Sequence, residues 1–278
     1  MRSSWSVVRS DRELLILPVI SGIASLAVIA SFAAPVWWSL EERLGLDATG
    51  ATVSSLEPTL WTYLLGAAFY LVSAFVTIFF NAALVWGANE RFEGQDPTVG
   101  SALAGARSRL GLILQWAAVS ATVSMIIRQI QERAGLLGRL LGGLIGFAWA
   151  VVTFLVLPTL VIEGVSVREA FRRSADSIKN TWGENLIGQG GLGILGFLAV
   201  LPCVALGLGG AFLLSTSAAM GVLVLAIAVV ALMAVTVVLS AMNIVYQTAL
   251  YRFATQRPIS GFEPAMLSAA FRTKAAKA

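Results

Sequence analysis

The residues of this sequence that come nearest to a chemical motif are the glycines of "LIGQGGLGILG", Leu186 to Gly196. They form two overlapping G-x-G-x-x-G patterns, one at Gly188, Gly190 and Gly193 and one at Gly191, Gly193 and Gly196. In a dinucleotide-binding fold such glycines let the backbone approach a pyrophosphate, but that chemistry needs a preceding strand and an acidic residue about 20 positions on to hold the ribose. Here Leu192 to Leu214 is apolar throughout, and after Glu184 the next acidic residue is Glu263. The nucleotide reading lacks its context.

Other chemistry is equally thin. Histidine is absent and Cys203 is the one cysteine, so the commonest general base and metal ligand is missing and no Cys–His pair or internal disulfide can be built. The middles of the long apolar runs hold no Asp or Glu, against an intramembrane aspartyl hydrolase and against the carboxylate relay usual in proton coupling. No catalytic, cofactor-binding or metal-ligating set is expected, and the reading is non-enzymatic. The remaining polar candidates are Asn81, Gln115, Glu163, Asn243 and Gln247, with Gln189 beside them. They could line a hydrophilic path or touch a lipid headgroup. The commoner role of such amides is to hydrogen-bond one helix to another, for about 1 kcal/mol or less each. Glu163, which follows the apolar "LPTLVI", is expected to pair with a nearby arginine.

The elements that must position these groups follow from composition. Of 278 residues, 58% are hydrophobic and 12% charged, whereas globular domains carry roughly a quarter charged residues. The solvent of this chain is lipid. Stretches able to cross about 30 Å of hydrocarbon as helices occur at 14–38, 59–88, 110–127, 136–162, 186–214 and 219–250. Ser120, Thr122, Ser124 and Arg128 weaken the third; the second and sixth are long enough to tilt. "SFAAP" resembles a signal-peptide cleavage site, but the apolar run before it is too long and follows Asp11 and Glu13, so it is read as a span. The expected fold is all-α, one integral membrane domain of six transmembrane helices.

Orientation follows from the basic residues. With the N-terminus cytoplasmic, the outer segments hold only Arg43, Arg128, Arg133 and Arg139 of the 19 Lys and Arg, a strong positive-inside bias that also places the C-terminus in the cytoplasm. The net charge of +4 thus reflects membrane orientation and needs no nucleic-acid partner. Basic inner segments fit attraction to anionic lipid headgroups on the cytoplasmic side.

Loops on the two sides differ in kind. "STSA" alone joins spans five and six, which makes them an antiparallel hairpin. In "VREAFRRSADSIKNTW", 167–182, the residues Val167, Phe171, Ile178 and Trp182 recur at helical spacing opposite Arg168, Arg172, Arg173, Asp176 and Lys179, the pattern of a helix lying on the membrane surface. A comparable segment at 97–109 follows Asp96 as N-cap and Pro97 at the first helical position. Residues 2–13 supply a third, since 2–16 align without gaps on 173–187. Asn81 precedes Glu90 and Asn243 precedes Arg252 by the same interval. The expected architecture is three hairpins, each preceded by a cytoplasmic-side amphipathic helix, as a parallel repeat.

The glycines acquire a packing role in this frame. Gly138, Gly142 and Gly146 recur every fourth residue in span four, and Gly188, Gly191 and Gly196 fall broadly on one face of span five. Small residues let helix backbones approach closely in lipid, so spans four and five are expected to form a tight pair. Pro202 adds a kink to span five. Trp37, Trp38, Trp86 and Trp182 fall at the boundaries, where an indole buries its body and keeps its N–H wet.

Over nearly its whole length the chain resembles a family of six-span integral membrane proteins of actinobacteria and archaea, described only as a domain of unknown function. The resemblance rests on "SWSVVRSDRELLILPVISG", "LPTLVIEGVSVREAFRRSADSIKNTWGENLIGQ", "LYRFATQRPISGF" and "AFRTK". The "REAFRRSAD" layout is also similar to membrane domains found beside glycerophosphodiester phosphodiesterases. Neither resemblance implies a site residue. Sixteen arginines against three lysines suggest a GC-rich prokaryotic genome and hence a plasma membrane. The expected function is a non-enzymatic membrane scaffold or lipid-associated factor; the alternative is a transporter or permease for a small or amphipathic substrate.

Overall fold

The computed structural model describes residues 12–44, 60–133, 135–181 and 190–258, and their regular structure is entirely helical. In chain order the helices are α1 (Arg12–Leu44), α2 (Leu60–Phe92), α3 (Val99–Ser108), α4 (Leu110–Arg133), α5 (Gly135–Val152), α6 (Val156–Glu163), α7 (Val167–Thr181), α8 (Gly190–Leu213) and α9 (Ala218–Ala254). Among the described residues six apolar stretches are long enough to cross a membrane: Leu15–Ala33, Tyr63–Phe92, Leu110–Glu132, Gly138–Glu163, Gly196–Leu213 and Ala218–Ala254. In hydrocarbon every backbone group needs an internal partner, which a helix supplies along its own length. The chain is a multi-pass, all-α membrane protein.

Consecutive spans pack on each other, α1 on α2, α4 on α5 and α8 on α9, while α2 also touches α3, α4, α6 and α9. The buried residues gather at one end of this arrangement. They come from the last third of α2 (Ala82–Val85, Ala88, Phe92), from Ala102 and Ala106 of α3, Ile113 and Trp116 of α4, most of α6, and Ala241, Ile244, Val245 and Ala249–Tyr251 of α9. At the other end Leu60, Trp61, Tyr63 and Leu64 of α2 and Met220, Val222 and Leu223 of α9 are exposed. Exposure there carries no penalty, since lipid tails are as apolar as leucine.

Several expectations are corrected. The third span continues to Arg133: Thr122 donates its hydroxyl to Ala118 O at 2.8 Å and Arg128 pairs with Glu132 one turn on at 2.9 Å, so these polar groups are satisfied locally and do not end the helix. The fourth span is broken between Val152 and Val156. Pro158 is responsible, because it cannot donate to the carbonyl four residues back and its ring collides with it; the helix restarts with Pro158 in its first turn, where no N–H is needed. The N-cap of α3 is Thr98 and not Asp96: Thr98 accepts from Ser101 N at 3.0 Å while Ser101 Oγ accepts from Thr98 N at 3.1 Å. This reciprocal box satisfies two donors at once, and Asp96 faces Arg91 at 3.7 Å instead.

The glycines pack differently from expectation as well. A Cβ built at Gly142 would lie 2.3 Å from Gln131 Cγ, and one at Gly146 would lie 3.7 Å from Ile127, both on α4. At Gly196 it would lie 3.5 Å from Leu239 of α9. These glycines thus serve contacts within each consecutive pair, and α5 does not pack closely on α8 among the described residues. Gly138 is buried in α5 and Gly191 lies in the first turn of α8; Gly188 falls outside the described residues. So do Trp182 and most of the segment 2–13, whose last two residues belong to α1.

Candidate functional site

The closed end of the bundle carries a polar network that begins at the end of α9. Thr248 to Arg252 are all buried there, and Arg252 is only 2% exposed. Gln256 adopts φ 54° and Arg257 N closes on Arg252 O at 2.9 Å. That turn brings the Pro258 carbonyl back to Arg252, which donates to it through Nε at 3.0 Å and Nη2 at 2.7 Å. Nη1 reaches across to α2, donating to Asn89 Oδ1 at 2.6 Å and Glu93 Oε1 at 2.9 Å. The planar guanidinium fork is suited to holding several acceptors at once.

One residue earlier, Tyr251 donates its hydroxyl to Glu163 Oε1 at 2.5 Å. Glu163 ends α6, and its other oxygen pairs with Arg173 of α7. Arg173 also donates through Nε to Glu169 Oε1 at 2.8 Å. That hydrogen bond, with the charges of Arg173 and Arg172, holds the exposed Glu169 carboxyl below its ordinary range, and Glu169 and Glu163 raise the Arg173 guanidinium in return. The adjacent Tyr251 and Arg252 therefore tie one helix end to two different neighbours.

Two further contacts fix the broken fourth span. Ser174 of α7, fully buried, donates to Val152 O at 2.6 Å and accepts from Leu155 N at 3.2 Å, bridging the gap between α5 and α6. Gly164 takes φ 66° at the end of α6, and Arg109 lies under it, donating to Val161 O at 3.4 Å. A Cβ at Gly164 would come within 2.5 Å of the Arg109 Cζ, so glycine is needed for space as well as for conformation. A cation there also meets the negative end of the helix dipole.

On the other flank Trp86 donates to Glu90 Oε1 at 2.9 Å, and Ser101 donates to Glu90 Oε2 at 2.7 Å. Trp116 stacks on Trp149 at 6.0 Å, and Trp149 meets Phe171 of α7 at 5.9 Å. The helix α7 is amphipathic: Ala170 and Ser174 are buried and Phe171 half-buried, while Arg168, Arg172, Arg173 and Asp176 are exposed. Ile178 and Lys179 lie within it, with side chains outside the described set.

Of the polar residues singled out in the sequence and described, only Glu163 sits in this network, and Gln189 falls outside the described residues. Asn81 and Gln247 are half-buried, Gln115 and Asn243 are exposed, and the structure shows no hydrogen bond joining any two of these four. The residues not foreseen are Asn89, Glu93, Arg109, Ser174, Tyr251 and Arg252. The available signal was the pair Tyr251 and Arg252 interrupting the end of the longest apolar run. No group of three metal-ligating side chains occurs among the described residues. Chemically the network joins α2, α6, α7 and α9 by charge-assisted hydrogen bonds, which are roughly twice as strong as neutral ones.

No curated protein and no solved structure matches the chain. A model for a family of unknown function, DUF6159, matches residues 61–262. That range takes in every element of the network, and the chain belongs to this family of unknown function.

Proposed function

We propose that the protein is a non-enzymatic, lipid-associated scaffold of a prokaryotic plasma membrane. Both termini and the network end of the bundle lie on the cytoplasmic side, in keeping with the positive-inside bias. The three consecutive pairs are hairpins, with α3 and α7 as surface helices at the headgroup level. One observation carries the reading. The polar side chains at the closed end bind helices to one another, while Arg107, Arg168 and Arg172 remain exposed around it. A rigid, basic plate of this kind is attracted to anionic headgroups by about 1 kcal/mol per cation near the surface.

The test is lipid retention. The full chain is purified from vesicles of mixed phosphatidylglycerol and phosphatidylcholine, and the bound lipid is measured by mass spectrometry. An Arg107→Gln, Arg168→Gln, Arg172→Gln variant should lose phosphatidylglycerol and keep phosphatidylcholine. Equal retention of both lipids by parent and variant would remove the basis of the proposal. The permease reading draws on the interrupted fourth span; saturable solute uptake by the same vesicles would favour it.

A further inference from the structure

Away from the closed end, α2 and α4 part and leave a groove of about 850 Å³. Its α2 wall is Tyr63 and Ala67, one turn apart, and its α4 wall is Thr122, Met125, Ile126 and Gln129, continued by Ile130. These α4 positions form a single stripe at helical spacing. The volume falls within the roughly 300–1,000 Å³ typical of a site for one small ligand.

Three features select the occupant. The groove lies between two spans, so the medium it meets is hydrocarbon. From Thr122 to Ile130 the stripe is about 12 Å long, somewhat less than half of the roughly 30 Å hydrocarbon thickness. At its inner end α2 and α4 close together around Ala83, Ile113 and Trp116. A transmembrane helix from a second copy needs the whole thickness and would be stopped there; a chain from one leaflet would not. Polarity also changes along the groove. The Thr122 hydroxyl is satisfied by its own helix, and beside it the groove is lined by the apolar Met125 and Ile126, 40% and 55% exposed, whereas Tyr63 and Gln129 line its outer end. Arg128, next to Gln129, has a side chain 72% exposed and pairs among the described residues with the exposed Glu132.

We propose that this groove binds one acyl chain of an outer-leaflet phospholipid, with the headgroup at the level of Tyr63 and Arg128. Its assignment to the outer leaflet rests on the orientation proposed above, and the site does not depend on anionic lipid at the basic face. The test therefore uses zwitterionic vesicles. The full chain is reconstituted in phosphatidylcholine with a trace of phosphatidylcholine carrying a diazirine at the end of one acyl chain, irradiated, and mapped by peptide mass spectrometry. Labelling at Met125 and Ile126 should exceed severalfold that at Leu140 and Leu144 of α5, which are 61% and 67% exposed and face lipid without a groove. Filling the groove with Ala67→Phe, or from the opposite wall with Ile126→Trp read at Met125, should abolish that excess and leave Leu140 and Leu144 unchanged. Equal labelling of groove and ridge in the parent chain overturns the proposal, whatever the variants do. So does an excess that survives in a folded groove-filled variant, or one that arises only after deletion within 45–59, which would make that segment the occupant.

Discussion

Gly105→Ala tests the packing of α3 on α2 with little freedom for escape. A Cβ at this position lies 2.1 Å from Trp86 Cδ2 and 2.2 Å from Cγ, far inside the 3.5–4.0 Å at which carbon atoms attract. The indole cannot simply slide. Its Nε1 donates to Glu90 Oε1, and Glu90 is itself fixed by Ser101, a member of the α3 capping box. The alanine must either push α3 away or turn the indole out. The first route is overpacking, which costs typically 1–3 kcal/mol. The second loses a hydrogen bond to a charged group, about 1.5–3 kcal/mol, with the lower end applying because Glu90 is half-buried and can rehydrate. The two routes give about 1.5–2 kcal/mol. The assay is thermal unfolding in detergent at a fixed heating rate, since such midpoints depend on rate. Gly105→Ala should unfold at a clearly lower temperature, and Gly105→Ala with Trp86→Leu should cost less than the sum of the two single changes, by about 1 kcal/mol. A parental midpoint for Gly105→Ala, or strict additivity in the double variant, would refute the reasoning.

The remaining predictions concern the network. Ser174→Ala removes the hydroxyl that bridges the gap in span four, leaving the buried Leu155 N–H unpaired at about 1–3 kcal/mol and the half-buried Val152 carbonyl unpaired at a smaller cost; the check is a lower unfolding midpoint together with faster amide exchange at Leu155. Arg252→Met should destabilise by about 3 kcal/mol, the low end for breaking a buried ion pair, because Glu93 is 41% exposed and regains water; Glu93→Gln should cost less in the same denaturation series. Glu169 has its carboxyl held below the ordinary value by Arg173, so its contribution is complete above the unfolded-state value and is lost as pH falls through the folded one. Spin labels on α7 should accordingly gain mobility in acid below the ordinary carboxylate range and stay unchanged between neutrality and that range, an effect that Glu169→Gln should remove.

The six spans were legible because the thickness of a bilayer imposes one length on every apolar run, and local sequence suffices to see it. Amphipathicity in 167–182 was legible from Val167 and Phe171 opposite Arg168, Arg172 and Asp176, and among the described residues Phe171 is half-buried and those charged side chains are exposed. The fully buried Ala170 and Ser174 were not part of that pattern, because a small or polar side chain adds little to an apolar stripe. The break at 153–155 was not legible, although Pro158 announces a constraint: whether a proline kinks a span or ends it depends on which side chain meets the freed backbone, and Ser174 comes from another helix. The glycine contacts misled for a related reason. Spacing reveals that Gly142 and Gly146 share a face, but it carries no record of which neighbour that face meets, and α4 is already beside α5 through their short connection. Arg252 escaped notice because a cation at the end of a span usually reaches the headgroups; here Asn89, Glu93 and the returning Pro258 carbonyl draw it inward.

The central claim is that the closed, networked end of the bundle faces the cytoplasm. Single cysteines at Gln95 and at Thr216, each in a Cys203→Ser background, report the two ends directly through a membrane-impermeant maleimide applied to intact cells. The account predicts labelling of Thr216→Cys from outside, with Gln95→Cys protected until the membrane is permeabilised. Labelling of Gln95→Cys on intact cells, with Thr216→Cys protected, would contradict it.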